Sequence, residues 1–111
     1  MSQSAADNLF PEESLANPAI ARCARAWSST YRVNISIGSS KVSASLEAGE
    51  AFRKAMPALT SADNVRDFVA CVASGLLISA ISSGDAARLL YAAQVAQRAF
   101  PRPSAPPQTN P

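Results

Sequence analysis

Histidine is absent from the 111 residues, which removes the commonest general base at neutral pH and the commonest metal ligand. The other residue types that could do chemistry are thinly arranged. Sixteen serines are present, but a serine nucleophile needs an adjacent base, and the single Ser40-Lys41 pair supplies no such constellation. Glu47 and Glu50 stand one helical turn apart, with Arg53 and Lys54 just beyond. That arrangement suits a solvated, salt-bridging helix face and not acid–base catalysis. Four scattered glycines form no loop that could cradle a phosphate. Cys23 and Cys71 are far apart in sequence, each inside an apolar stretch, and read as buried, reduced packing residues. A disulfide between two helices is the lesser reading, and two thiols with no further ligands do not make a metal site. The expectation is a protein that is not an enzyme and carries no cofactor or metal.

Binding is the remaining class of function. Arg22, Arg25 and Arg32 form a basic stripe on one helix, either a solvated face or a contact for nucleic acid or an acidic protein surface. Trp27 and Tyr31, at helical spacing, read as core anchors; if exposed, they would be the hot spot of a protein interface. Arg22, Arg25, Trp27, Tyr31 and Arg32 are therefore the candidate interface residues. A helix-turn-helix reader of DNA would want a basic, polar second helix after a short turn. The turn Ser82-Ser83-Gly84 leads into RLLYAAQVAQRAF, whose Arg88, Gln94, Gln97 and Arg98 could reach bases, although Ala and Leu dominate that helix. The tail also holds a PxxP element, Pro103 to Pro106, read as part of a solubilising end more than as a docking motif.

The elements that would position these residues are legible from their start and stop signals. Asn17-Pro18 begins a helix in which Ile20, Ala24, Trp27, Tyr31 and Ile35 share a face, and Gly38 offers a left-handed stop. Tyr31, Val33, Ile35 and Ile37 also alternate with polar residues, as do Val42, Ala44 and Leu46. A β-hairpin at about 30–46 is thus the alternative, disfavoured because an isolated two-stranded hairpin is marginal and no third strand is visible. A second helix is expected from Lys41 to Met56, capped by Ser40 and stopped before Pro57. A third starts at Thr60, where Thr60 and Asp63 have capping-box spacing, and runs to about Ile81. A fourth repeats the device with Ser82 and Asp85 and ends before Pro101.

The third of these, FVACVASGLLISAI, has almost no polar face, which places it at the centre of a bundle or makes one side of it an interface. Ala70 with Ser74, and Gly75 with Ser79, are four apart and would let a neighbouring helix approach closely. Its longest apolar run is fourteen residues with three polar or glycine interruptions; this gives about 21 Å of helix against a bilayer core of roughly 30 Å. The first residues lack a basic segment followed by an apolar run, so no secretion signal is expected.

Formal charge is +2 overall but unevenly spread. Residues 1–17 carry Asp7, Glu12 and Glu13, whereas residues 18–100 hold nine Arg or Lys against five carboxylates. That mild basicity permits an acidic partner without demanding one. The predicted organisation is a disordered acidic segment over 1–16, a helical domain over 17–100, and a Pro-rich disordered tail over 101–111. The fold expected is all-α, a compact four-helix domain between disordered tails.

The stretch from Asn64 to Ala99, with NPAIARCARAW and AFRKAMPAL before it, resembles small uncharacterised helical proteins of bacterial genomes. The resemblance implies a bacterial, cytoplasmic, helical domain and brings no activity with it. The function expected is a protein-interaction module of adaptor, regulator or inhibitor type, such as mobile elements carry, binding a protein partner or itself. A small DNA-binding transcriptional regulator using a basic helical face is the alternative.

Overall fold

The computed structural model of the chain describes residues 9–100. They form α1 (Glu12–Leu15), α2 (Pro18–Ser36), α3 (Lys41–Lys54), α4 (Ala62–Leu77) and α5 (Ser83–Ala99), and no strand occurs among them. The four long helices are those read from the sequence, and α1 is a single added turn.

Local hydrogen bonds explain the starts. Asn17 accepts from the backbone N–H of Ala19 and Ile20 at 2.9 and 3.2 Å, with Pro18 in the first helical position. Ser40 accepts from Ser43 N–H and Ser82 from Asp85 N–H, each at 3.1 Å. Each hydroxyl or amide oxygen takes a donor that has no partner within its own helix. The start of α4 is shifted by one residue from expectation. Ser61, not Thr60, accepts from Asn64 N–H at 3.1 Å, while Thr60 Oγ1 accepts from the Asn64 side chain at 2.8 Å.

The stops differ more. Gly38 does end α2 with φ of +91°, but α4 ends at Leu77, four residues before the expected Ile81. Ser79 there takes φ of +61°, and the N–H groups of Ala80 and Ile81 turn back onto the carbonyl of Gly75 at 2.8 and 3.1 Å. This is a left-handed helix stop with serine where glycine is usual. The hairpin alternative for 30–46 is excluded, since α2 continues to Ser36 and α3 begins at Lys41.

The domain boundary at residue 17 requires correction. Phe10 is only 3% exposed, and its ring lies parallel to that of Phe52 at 6.1 Å between centroids; Leu15 packs against the same core. An acidic, polar composition obscured one large apolar side chain whose burial orders the segment from Leu9 to Ala16. Residues 1–8, the remainder of the expected acidic tail, and the Pro-rich segment 101–111 with its PxxP element lie outside the described residues.

The core joins Ile20, Cys23, Ala24 and Trp27 of α2 with Ala48 and Phe52 of α3 and Val65, Phe68, Cys71 and Val72 of α4, closed by Ile81 from the α4–α5 turn. α2 and α3 make the most extensive helix pair, and α4 touches all three other long helices. α5 packs chiefly on α4 and fully buries only Ala86 and Ala93. Two arginines tie loops to helices. Arg22 of α2 donates to the carbonyl of Ala55 at the end of α3, and Arg53 of α3 donates to the carbonyl of Ala80. Glu50 pairs with Lys54 at 2.9 Å, as the i,i+4 spacing anticipates.

Candidate interaction surface

The side of α4 turned away from the core is apolar. Val69, Ala73, Leu76 and Leu77 follow the i, i+4, i+7, i+8 pattern of one helix side, and all four are exposed, Leu77 by 81%. The opposite side carries Val65, Phe68, Cys71, Val72 and Gly75, all buried. The helix that read as apolar all round thus splits into a packed half and an uncovered half. On α5 the exposed apolar residues are Leu90, Tyr91 and Val95, with Tyr91 68% exposed. Their exposure follows from α5 having one main neighbour: a helix gripped along one stripe by small alanines leaves its other sides open. The polar groups nearby are pairs at the helix starts, Asp63 with Arg66 and Asp85 with Arg88, each at 3.6 Å and solvent-exposed.

A second group of exposed apolar residues marks the α2–α3 turn: Val33, Ile35, Ile37, Val42 and Leu46. The alternation that suggested a hairpin accounts for part of it. Residues two apart on a helix point about 200° from one another, so Val33 cannot share the face of Tyr31 and emerges into solvent, while Ile37 lies past the last residue of α2.

The residues singled out from the sequence fall into two sets. Trp27 is buried and stacks on half-buried Tyr31 at 5.0 Å between ring centroids, 9° from parallel. The pair belongs to the core, and the exposure that an interfacial tryptophan would need is not met. It forms one wall of a cavity of about 380 Å³, with Leu9, Ser45, Ile78 and Ser79 completing the lining. Arg22, Arg25 and Arg32 are all exposed and none belongs to an ion pair among the described residues. Arg22, however, spends its Nε–H on Ala55. Gln94, Gln97 and Arg98 line a shallow depression of about 400 Å³ beside Phe100, on a helix packed mainly against α4 and not α2.

Titration effects are few. The Lys54 ammonium holds the Glu50 carboxyl below its ordinary pKa. Cys23 and Cys71 approach to 3.9 Å between sulfurs, and both are fully buried and unbridged. Among the described residues no three His, Cys, Asp or Glu side chains converge, and no helix is long and apolar enough to cross a membrane.

Sequence reasoning identified α4 as the unusual helix. It missed α5, because Leu90, Tyr91 and Val95 looked like ordinary members of an Ala-rich helix until the number of its neighbours was known. No protein-family model, curated protein or solved structure matches this chain.

Proposed function

We propose that the chain is a non-enzymatic interaction module of adaptor, regulator or inhibitor type. It binds a protein partner, or a second copy of itself, through the apolar sides of α4 and α5. The observation that carries this reading is the set of six large exposed side chains on these two helices: Val69, Leu76, Leu77, Leu90, Tyr91 and Val95. Taking a large apolar side chain from full exposure to full burial is worth roughly 1.5–3 kcal/mol, and of these six Leu77 and Tyr91 have most of theirs still to gain. Large apolar side chains left exposed along a helix side are characteristic of binding faces. A bacterial, cytoplasmic regulator of the kind mobile elements carry would fit this size and build.

Light scattering across micromolar to near-millimolar concentration, together with binding of a dye that reports exposed apolar surface, tests the reading. Mass rising with concentration, and dye fluorescence that falls as mass rises, is the expected outcome. A strict monomer with no dye binding would overturn it.

A second reading rests on the exposed cations Arg25 and Arg32 of α2 and the Gln94, Gln97 and Arg98 group of α5: a small DNA-binding transcriptional regulator. With so few cations available to meet phosphates, non-specific binding of roughly 10⁻⁴ to 10⁻⁶ M is expected at physiological salt. A sub-micromolar, sequence-selective complex that disappears in the Arg22→Glu, Arg25→Glu double variant would promote this reading over the first.

A further inference from the structure

We propose that Cys23 and Cys71 are a dithiol–disulfide pair, oxidised by a hydroperoxide to a cross-link that joins α2 to α4. Two cysteines 48 positions apart in sequence, on α2 and α4, bring their sulfurs to 3.9 Å, and among the described residues no group of three or more His, Cys, Asp or Glu side chains converges to make the pair a metal site. A disulfide bond is about 2.05 Å long, so formation requires the sulfurs to close by a little under 2 Å through side-chain rotation and a shift of the helices.

The surroundings make the two thiols unequal. The hydrogen bond shared with Cys71 holds the Cys23 thiol below its ordinary pKa, and the Arg22 guanidinium adds to this against the opposing effect of burial. Cys71 is pushed up by the same shared bond, by burial and by the negative charges of Cys23 and Asp67. The neighbouring charges, Arg22 on the side of Cys23 and Asp67 on that of Cys71, favour Cys23 as the sulfur that attacks first, with Cys71 resolving.

The chemistry balances with hydrogen peroxide as the oxidant. The Cys23 thiolate attacks one peroxide oxygen, the O–O bond breaks, and the departing hydroxide takes up a proton to leave as water. The resulting sulfenic acid is then attacked by the Cys71 sulfur. The S–S bond forms, the S–O bond breaks, and the Cys71 proton leaves with the hydroxyl group as a second water. Two thiols have lost two electrons and two protons, and one peroxide has been reduced to two waters. Because both sulfurs are closed to solvent, reaction depends on transient opening of the helix packing. Peroxide, small and uncharged, is the oxidant best suited to enter, and the finished disulfide is shielded from bulky reductants.

The full chain, reduced and then treated with hydrogen peroxide under native conditions, tests this by intact mass, denatured thiol count and thermal melting. The expected result is a monomeric product lighter by about 2 Da, with no titratable thiol left and a Tm raised by on the order of 10 °C, since a cross-link closing a loop of this length strongly restricts the unfolded chain. The Cys71→Ser variant is expected to stop at a sulfenic acid on Cys23, trapped by dimedone. The proposal is overturned if both thiols persist in the peroxide-treated wild-type chain, if mass increases by steps of about 16 Da without loss of two hydrogens, or if the cross-link joins separate chains.

Discussion

Phe10 offers the sharpest test of how far the folded unit extends. In Phe10→Ala the perturbation removes a phenyl ring that is 3% exposed and lies parallel to Phe52, itself fully buried. A Phe→Ala change inside a rigid core typically costs about 3–5 kcal/mol, combining lost transfer energy with the cavity left behind, and the ring pair adds about 0.5–1.5 kcal/mol beyond its buried area. Two features limit the loss here. The segment is held only by Phe10, Leu15 and the single turn of α1, so it can come away instead of leaving a void. Phe52 would then regain contact with water on one side only. About 2–4 kcal/mol is therefore expected, a fall in Tm on the order of 10–20 °C for a domain of this size. Urea unfolding followed by far-ultraviolet circular dichroism measures it, with Glu13→Ala, exposed on the same turn, as a control expected to stay within about 0.5 kcal/mol. A lowered m-value in Phe10→Ala would show that the segment undocks as a unit, since less surface is then exposed on unfolding. If Phe10→Ala behaves like the control, with m unchanged, the docking is refuted and the stable unit begins at Asn17.

Three further substitutions probe the turns. A Cβ on Gly75 would stand 2.7 Å from Ile81 Cδ1 and 2.9 Å from Phe52 Cε1, both on side chains with no room to retreat. Gly75→Ala is thus expected to destabilise by about 1–3 kcal/mol, although alanine is the better helix former by about 1 kcal/mol; a more stable variant in chemical denaturation would contradict the packing. Ser79→Gly, which relieves a left-handed φ of +61°, is expected to raise stability by about 0.5–1 kcal/mol, and a fall in Tm would show that the serine hydroxyl contributes more than the strain costs. Ser82→Ala removes the acceptor for Asp85 N–H and is expected to cost about 0.5–2 kcal/mol; unchanged urea midpoints would mean the cap is replaced by water without loss.

Features decided within a few residues were legible in the sequence, and features decided across the fold were not. Asn17, Ser40 and Ser82 could be identified as caps because the bond each makes reaches only two or three residues ahead. The cap of α4 was misplaced by one residue because Thr60 and Ser61 both carry hydroxyls and both engage Asn64. Its end was missed because Ser79 adopts a backbone conformation usually given to glycine, under the demand that Ala80 and Ile81 return to the α3 side of the core. Phe10 was overlooked because its neighbours are polar, and its burial depends on Phe52, forty-two positions away in the sequence. The candidate surface shows the same division. Leu76 and Leu77 were visible as apolar residues, but only the packing of α2, α3 and α5 determines which side of α4 stays uncovered. The nearness of Cys23 to Cys71 is likewise a property of how α2 crosses α4, and no spacing rule announces it.

Sedimentation velocity on three chains tests the proposed binding surface most directly: the wild type, a Leu77→Asp, Tyr91→Asp variant, and an Ile37→Asp, Val42→Asp variant. All four positions are highly exposed, so neither pair of changes removes core packing, and circular dichroism of each variant would verify that the helices persist. The second pair alters the other apolar group, at the α2–α3 turn, by a like amount. Self-association through α4 and α5 predicts a wild type that sediments faster as concentration rises, an α4–α5 variant that stays monomeric, and a turn variant that behaves as the wild type does. A wild type that remains monomeric to near-millimolar concentration would contradict self-association, and association abolished by the turn variant and untouched by Leu77→Asp, Tyr91→Asp would contradict the α4–α5 surface itself.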